Sequence, residues 1–260
     1  MSSTLRAEGI TVGYGEKPVL RNVDVDIPDG EVTVIVGPNA CGKSTLLKTL
    51  ARLLTPAEGT VWLGEEPINA RSSKDVARTL GLLPQSPTPP DGILVSDLVS
   101  RGRYPHQKLL QQWSKADDLA VREAMEHAGV ADLAERPVSD LSGGQRQRVW
   151  LAMVLAQQTP IILLDEPTTY LDISHQVEVL NLAEQLHREG STVVMVLHEL
   201  TLAFRYATHL IVMKDGQIVA RGPVNEIVTQ DLIADVYGLR CNLLHDEIHD
   251  RPIVVPLNPV

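Results

Sequence analysis

Two glycines with four residues between them, followed at once by lysine and serine, stand in Gly37-Pro38-Asn39-Ala40-Cys41-Gly42-Lys43-Ser44-Thr45. The pattern is that of a phosphate cradle, or P-loop. Glycines let the backbone approach a polyphosphate with no side chain in the way. The N–H groups of a loop that opens into a helix converge on the same anion, where the helix dipole adds positive potential. Lys43 is then placed to reach the β- and γ-phosphates, and the Ser44 hydroxyl to ligate Mg²⁺. Cys41 owes its place to small size and not to thiol chemistry. Asp165 and Glu166 stand at the end of the apolar run Ile161-Ile162-Leu163-Leu164. There Asp165 would hold Mg²⁺ through water and Glu166 would polarise an attacking water. His198, at the end of a second apolar run, is suited to donate a hydrogen bond to a γ-phosphate. Ser142-Gly143-Gly144 offers a second small-residue, helix-opening anion site, a weak sign by itself.

These groups need particular elements to hold them. The run 32–36 before the cradle reads as a strand, and a helix is expected over 44–54. The unalternating run 161–164 predicts a strand buried on both faces, and 192–197 another. Ligands of open parallel sheets bind at the carboxyl ends of the strands, so the carboxylates and the phosphate loop are expected to share one crevice. Upstream, residues 5–12 and 19–27 alternate as half-buried strands, ended by the turn Pro28-Asp29-Gly30. Tyr14, in Gly13-Tyr14-Gly15-Glu16, can stack on an adenine ring, although a lone loop tyrosine is more often a packing residue. A short strand over 60–63 and a short helix over 73–77 precede the apolar run 80–83, which ends at Pro84-Gln85.

The breakers in Ser86-Pro87-Thr88-Pro89-Pro90-Asp91-Gly92 mark a boundary, beyond which the pattern is helical to residue 158. Ser114 with Asp117 forms a capping box and Gly129 stops that helix. A helix opens at Ser142-Gly143-Gly144 and ends before Pro160, and another begins at Ser174 and ends near Gly190. Asp215-Gly216 between apolar runs predicts a hairpin, two short helices lead to Gly238, and the tail is expected to fold as a hairpin around His249-Asp250-Arg251-Pro252. His245 and His249 have helical metal-ligand spacing, but their flanks favour strand and turn, which speaks against a metal site.

With 23 Lys and Arg against 33 Asp and Glu, the 260-residue chain carries a formal charge of −10. That charge disfavours nonspecific attraction to nucleic acid or to an anionic bilayer. The hydrophobic share of 43% is ordinary for a soluble globular protein. Cys41 and Cys241 show neither metal spacing nor a disulfide framework, so a reducing cytoplasm is the expected compartment. Met1-Ser2-Ser3-Thr4-Leu5-Arg6 lacks an apolar signal core, and no run is long enough to span a bilayer. Any role at a membrane is therefore expected to come through a partner.

The phosphate loop, Gln85, Leu141-Ser142-Gly143-Gly144-Gln145, Asp165-Glu166 and His198, in that order, resemble the ATPase subunit of ABC transporters over roughly residues 5–238. The resemblance implies a P-loop α/β fold with a mostly parallel central sheet, an N-terminal antiparallel β portion and an inserted α-helical subdomain at about 90–158. The nucleotide-binding domain would span 1–240, with a short extension over 241–260. It implies ATP and Mg²⁺ as cofactors and gives roles residue by residue. The phosphate loop is Walker A, 161–165 Walker B, 141–145 the signature and Leu171-Asp172 the D-loop. Tyr14 is the adenine-stacking aromatic, Gln85 the residue that senses Mg²⁺ and the permease, and His198 the switch histidine. Glu199 follows that histidine where relatives often have aspartate. One signature and one Walker A per chain imply a homodimer with two sites, each nucleotide capped by the other subunit's signature.

Gly102-Arg103-Tyr104-Pro105-His106, the Pro38–Lys43 stretch and Thr169-Tyr170-Leu171-Asp172-Ile173-Ser174-His175-Gln176 look like importers of ferric siderophores. Haem, cobalamin and metal-ion importers are the alternatives. The expected partners are integral membrane permease subunits and, indirectly, a periplasmic or surface substrate-binding protein. The chain would sit peripherally on the cytoplasmic face of the membrane. The rival from another class is a soluble ABC-type ATPase acting on nucleic acid. Such proteins usually bring paired cassettes, long insertions or a basic face, and none is visible here.

Overall fold

The computed structural model describes residues 4–15, 17–85, 87–107, 113–169 and 171–259. Glu16 of the early turn, Ser86 of the breaker-rich stretch, Tyr170 and the first three residues lie outside the described residues, as do 108–112 of the helical stretch. The chain divides into two compact units, residues 1–70 with 192–260, and residues 71–191.

The first unit begins with β1 (Leu5–Tyr14) and β2 (Lys17–Ile27), whose alternating burial follows the alternating sequence, and they pair antiparallel. β3 (Val32–Val36) is buried at every position and leads to α1 (Lys43–Leu50) through the glycine loop. The helix predicted over 44–54 ends at Leu50. Arg52 turns into the left-handed region (φ +61°), and the amides of Leu53 and Leu54 both return to the Lys48 carbonyl at 2.8 and 3.2 Å. β4 (Glu58–Leu63) and the short β5 (Glu66–Pro67) complete an antiparallel sheet in the order β2-β1-β4-β5.

The second unit holds α2 (Ser73–Thr79), β6 (Leu80–Leu83), α3 (Val95–Ser100), α4 (Lys115–His127), α5 (Gly143–Ala156), β7 (Ile161–Asp165) and α6 (Ile173–Arg188). β6 and β7 pair in parallel, and α5 packs against α3, α4 and β6. The expected cap of α4 is present: the Asp117 amide donates to Ser114 Oγ at 3.2 Å, and the Ser114 amide to Asp117 Oδ2 at 3.1 Å. One expected start is corrected. α6 opens at Ile173, one residue before Ser174, because Asp172 is its cap and takes the His175 amide at 3.1 Å and the Ser174 hydroxyl at 3.0 Å on one oxygen.

An arginine ties α4 to the end of α5. Arg103 is buried, and its Nε donates to Asp117 at 2.9 Å while Nη1 donates to the Ala156 carbonyl at 2.7 Å and to Gln158 Oε1 at 2.9 Å. The hydrogen bond from the Ser114 hydroxyl, more than the guanidinium, holds the Asp117 carboxyl down at about 2.

The chain then returns to the first unit with β8 (Thr192–Val196), α7 (Leu200–Tyr206), β9 (His209–Lys214) and β10 (Gln217–Pro223). β3 lies between β8 and β9, parallel to both, and β10 closes that edge as the antiparallel arm of the Asp215-Gly216 hairpin. α8 (Val224–Ile227) and α9 (Gln230–Tyr237) follow. The tail is the expected hairpin, β11 (Leu239–Asp246) with β12 (Arg251–Pro259), packed on α7, α8 and α9. At its turn His249 Nδ1 lies 2.7 Å from Asp246 and His245 Nε2 lies 3.2 Å from Asp250. β12 carries Pro252, Pro256 and Pro259, three residues without a backbone donor. The fold is thus α/β, with parallel strands behind the phosphate loop, an antiparallel N-terminal sheet and a helix-rich middle, as expected.

Candidate functional site

In the first unit the phosphate loop is shaped by its own packing. Gly37 has φ +153°, and a Cβ there would lie 2.2 Å from the Met213 carbonyl oxygen at the end of β9. Gly42 has φ +104°, and its Cβ would lie 2.7 Å from Leu20 Cδ2. Gly37 is therefore required by space, since backbone stands in the way, and both glycines are favoured by backbone conformation before any ligand is considered. Gly42 is also the N-cap of α1 and gives it no side-chain cap, in contrast to the capping boxes on α4 and α5. A helix that opens without its own acceptor suits an anion, so the loop fits a polyphosphate.

Lys43 is buried, and its ammonium donates to the carbonyls of Gly37 and Pro38, both at 2.8 Å. Ser44 and Thr45 lie in the first turn of α1, Asn39 and Ala40 are exposed at the tip of the loop, and Ala40 is left-handed at φ +62°. Cys41 is buried and in no disulfide, and burial pushes its thiol up from the ordinary value. It therefore has little thiolate character, in line with a place kept for its small size. Tyr14 ends β1 with 57% of its surface exposed, so it is no core packing residue. His198 is exposed two positions beyond β8.

In the second unit β7 is buried throughout and delivers Asp165, fully buried, and Glu166, nearly so. Glu166 sits in the left-handed region at φ +54°, a conformation that costs a non-glycine residue on the order of 1 kcal/mol. The structure brings Gln85 and Glu166 together: the Gln85 amide Nε2 donates to Glu166 Oε2 at 2.7 Å. The Thr169 hydroxyl donates to the same oxygen at 3.2 Å, and the Thr169 amide to the Glu166 carbonyl at 3.2 Å. The carboxylate is thus oriented by two side chains from opposite ends of the unit's sequence.

Thr169 was not singled out from sequence. The signal was a hydroxyl three residues after the carboxylate, the reach of one turn. The left-handed turn had no sequence sign at all. Ser142 and Gln145 are occupied with each other in the cap of α5. The Gln145 amide donates to Ser142 Oγ at 3.2 Å and the Ser142 amide to Gln145 Oε1 at 3.1 Å. Ser142 and Gly143 remain exposed, with Gly144 half-buried behind them.

Among the described residues no group of three or more His, Cys, Asp and Glu is placed to hold a metal ion. No helix among them is long and apolar enough to cross a membrane.

The ABC transporter family description matches residues 20–169, and the chain belongs to that family. It is an ATPase of the transporter kind, on the branch of siderophore-import subunits. It is 56% identical to the ferric enterobactin transport ATP-binding protein FepC of Escherichia coli (strain K12), over 97% of this chain and 94% of that one. It is 48% identical to the "Probable siderophore transport system ATP-binding protein YusV" of Bacillus subtilis (strain 168), over 98% of this chain and 93% of that one. Among solved structures it is similar to a chain of an inward-facing ABC transporter described as of the metal-chelate type. The TM-score is 0.83 at 26% identity, and 99% of this chain and 98% of the other are covered.

Proposed function

We propose that this chain hydrolyses ATP to drive uptake of a ferric siderophore through a separate membrane permease, working as a homodimer on the cytoplasmic face. The observation that carries the reading is the fixed Glu166 carboxylate, held by Gln85 and Thr169 in a chain that also keeps the phosphate loop and the signature string intact. The full-length likeness to ferric enterobactin and siderophore transport subunits supports the cargo class.

The residues divide the work. Lys43, which donates to two neutral loop carbonyls, would exchange these for anionic phosphate oxygens, which are stronger acceptors. The opening amides of α1 take the remaining phosphate charge, and Tyr14 offers its exposed ring to the adenine. Ser44 and Asp165 would hold Mg²⁺, with Gln85 sensing it. The ion, when bound, would supply charge neutralisation. Glu166 orients and polarises the attacking water, and His198 donates to the γ-phosphate as negative charge builds there. Phosphoryl transfer asks little covalent chemistry of the protein, so positioning and charge stabilisation account for the rate.

Gln85 then has two duties, since a group that touches Glu166 and senses the permease links transport to hydrolysis. The helical stretch at about 90–158 is the surface proposed to meet the permease. Exposed Ser142, Gly143 and the rest of the signature through Gln145 would cap the nucleotide held by the other subunit. The cargo is tested by uptake of labelled ferric siderophore in cells carrying the native chain or Lys43→Ala. Uptake should be lost with the variant. Normal uptake with the variant, or no uptake with the native chain while haem is taken up, would overturn the assignment.

A further inference from the structure

Helices α4, α5 and α6 of the second unit leave a trough between them. Arg148, Leu151 and Leu155, at positions i, i+3 and i+7 of α5, share one face of that helix and form the floor. Ala120 and Ala124 of α4 stand along one side, and Leu182 and Leu186 of α6 along the other. Two cavities of about 410 and 490 Å³ follow one another along it, with His127 lining both.

The rim above this largely apolar bed is acidic. Glu123 and Glu126 stand on the α4 side and Glu178 and Glu189 on the α6 side, all of them exposed. Arg148 lies 3.8 Å from Glu178, while Glu123, Glu126 and Glu189 have no ion pair among the described residues. Low-dielectric walls lined by one sign of charge focus the potential between them, and such a concave surface favours a cationic occupant.

The floor spans two turns of α5, about 10 Å, so its complement is a rod of the same kind. A helix with apolar side chains on one face and Lys or Arg along both flanks would lay the first on Leu151 and Leu155 and meet the carboxylates with the second. A second copy of this chain, at a formal charge of −10, is a poor complement to an acidic rim. We propose that the trough docks a basic amphipathic helix of a separate protein. One wall, α6, lies outside the stretch proposed above to meet the permease. The docking is read on the chain alone, so it stands or falls apart from the transport reading.

The test follows, by fluorescence anisotropy on the full chain, a labelled peptide of about fourteen residues with leucine along one helical face and lysine elsewhere. It should bind about tenfold tighter than a peptide of the same composition in scrambled order. Glu123→Lys with Glu126→Lys should weaken binding about tenfold at an unchanged melting temperature, since cations near the C-terminal end of α4 suit the helix dipole. Gln185→Lys, at an exposed position lining the trough from the opposite wall, should weaken it in the same direction and stays decisive if the double variant folds poorly. Glu58→Lys with Glu65→Lys makes the double variant's change of net charge on exposed residues of the first unit and should leave binding within about twofold. Equal weakening by the two pairs, equal binding of the scrambled peptide, or no binding at all overturns the proposal. So does loss of binding once the chain is assembled with its permease, which would assign the trough to the permease instead.

Discussion

Glu166 combines a left-handed backbone with two donors on one carboxylate oxygen. The strain of that turn is tolerated because the surrounding hydrogen bonds over-determine it. Glu166→Gln keeps the size and the turn but loses the charge proposed to polarise water. It should bind MgATP with near-native affinity, hydrolyse it roughly 10²–10³-fold more slowly and accumulate as a closed dimer on gel filtration. Undiminished steady-state hydrolysis would remove the residue from catalysis. Gly37 makes a different kind of prediction. A Cβ there meets the Met213 carbonyl oxygen of β9, so Gly37→Ala should lower stability by about 2 kcal/mol or more in denaturant titrations even without nucleotide. If the variant is as stable as the native chain and only binding is lost, the glycine is there for the ligand alone. The residues of the loop, Asp165, Glu166 and the signature were legible from sequence because each is a type at a fixed spacing. The donors to Glu166 were only half legible, since Gln85 came through resemblance and Thr169 depends on how the turn after β7 folds.

At the level of elements, periodicity located nearly every strand and helix, and the errors fall at ends. α6 starts at Ile173 because Asp172 out-competes Ser174 as cap, a choice that two capping residues separated only by Ile173 leave open in sequence. α1 stops at Leu50 because Arg52 takes a left-handed turn, which an arginine does not announce. Arg103 stands in a string noticed only as a mark of the importer branch, whereas the structure makes it the tie between α4 and the end of α5. Asp117, its partner, ionises at about 2 when folded against an ordinary 3.8, chiefly through the Ser114 hydroxyl. A depressed carboxyl contributes stability that is fully present above the ordinary value and is lost as pH falls through the folded one. The native chain should therefore lose about 2 kcal/mol more than Asp117→Asn between pH 4 and pH 2 in denaturant titrations. Parallel curves for the two proteins would refute that contribution.

For the whole molecule, nucleotide is proposed to bring two copies together, and the signature face is where that is tested. Ser142 is exposed, and Ser142→Arg places a long cation where the cap is proposed to close. It should abolish ATP-induced dimerisation by light scattering and reduce hydrolysis at least tenfold, with fluorescent-ATP binding to the monomer retained. Normal dimerisation would place the closing surface elsewhere.

The C-terminal hairpin bears on the same cycle from the opposite direction. A two-stranded ribbon with an open border is an invitation to a third strand from any neighbour, and Pro252, Pro256 and Pro259 withdraw three hydrogen-bond donors from β12. A subunit proposed to join its twin and let go again at every turnover gains from a ribbon with fewer donors to offer a stray strand. In the proposed cycle association is then left to the nucleotide, and the partnership lasts no longer than the phosphate that holds it.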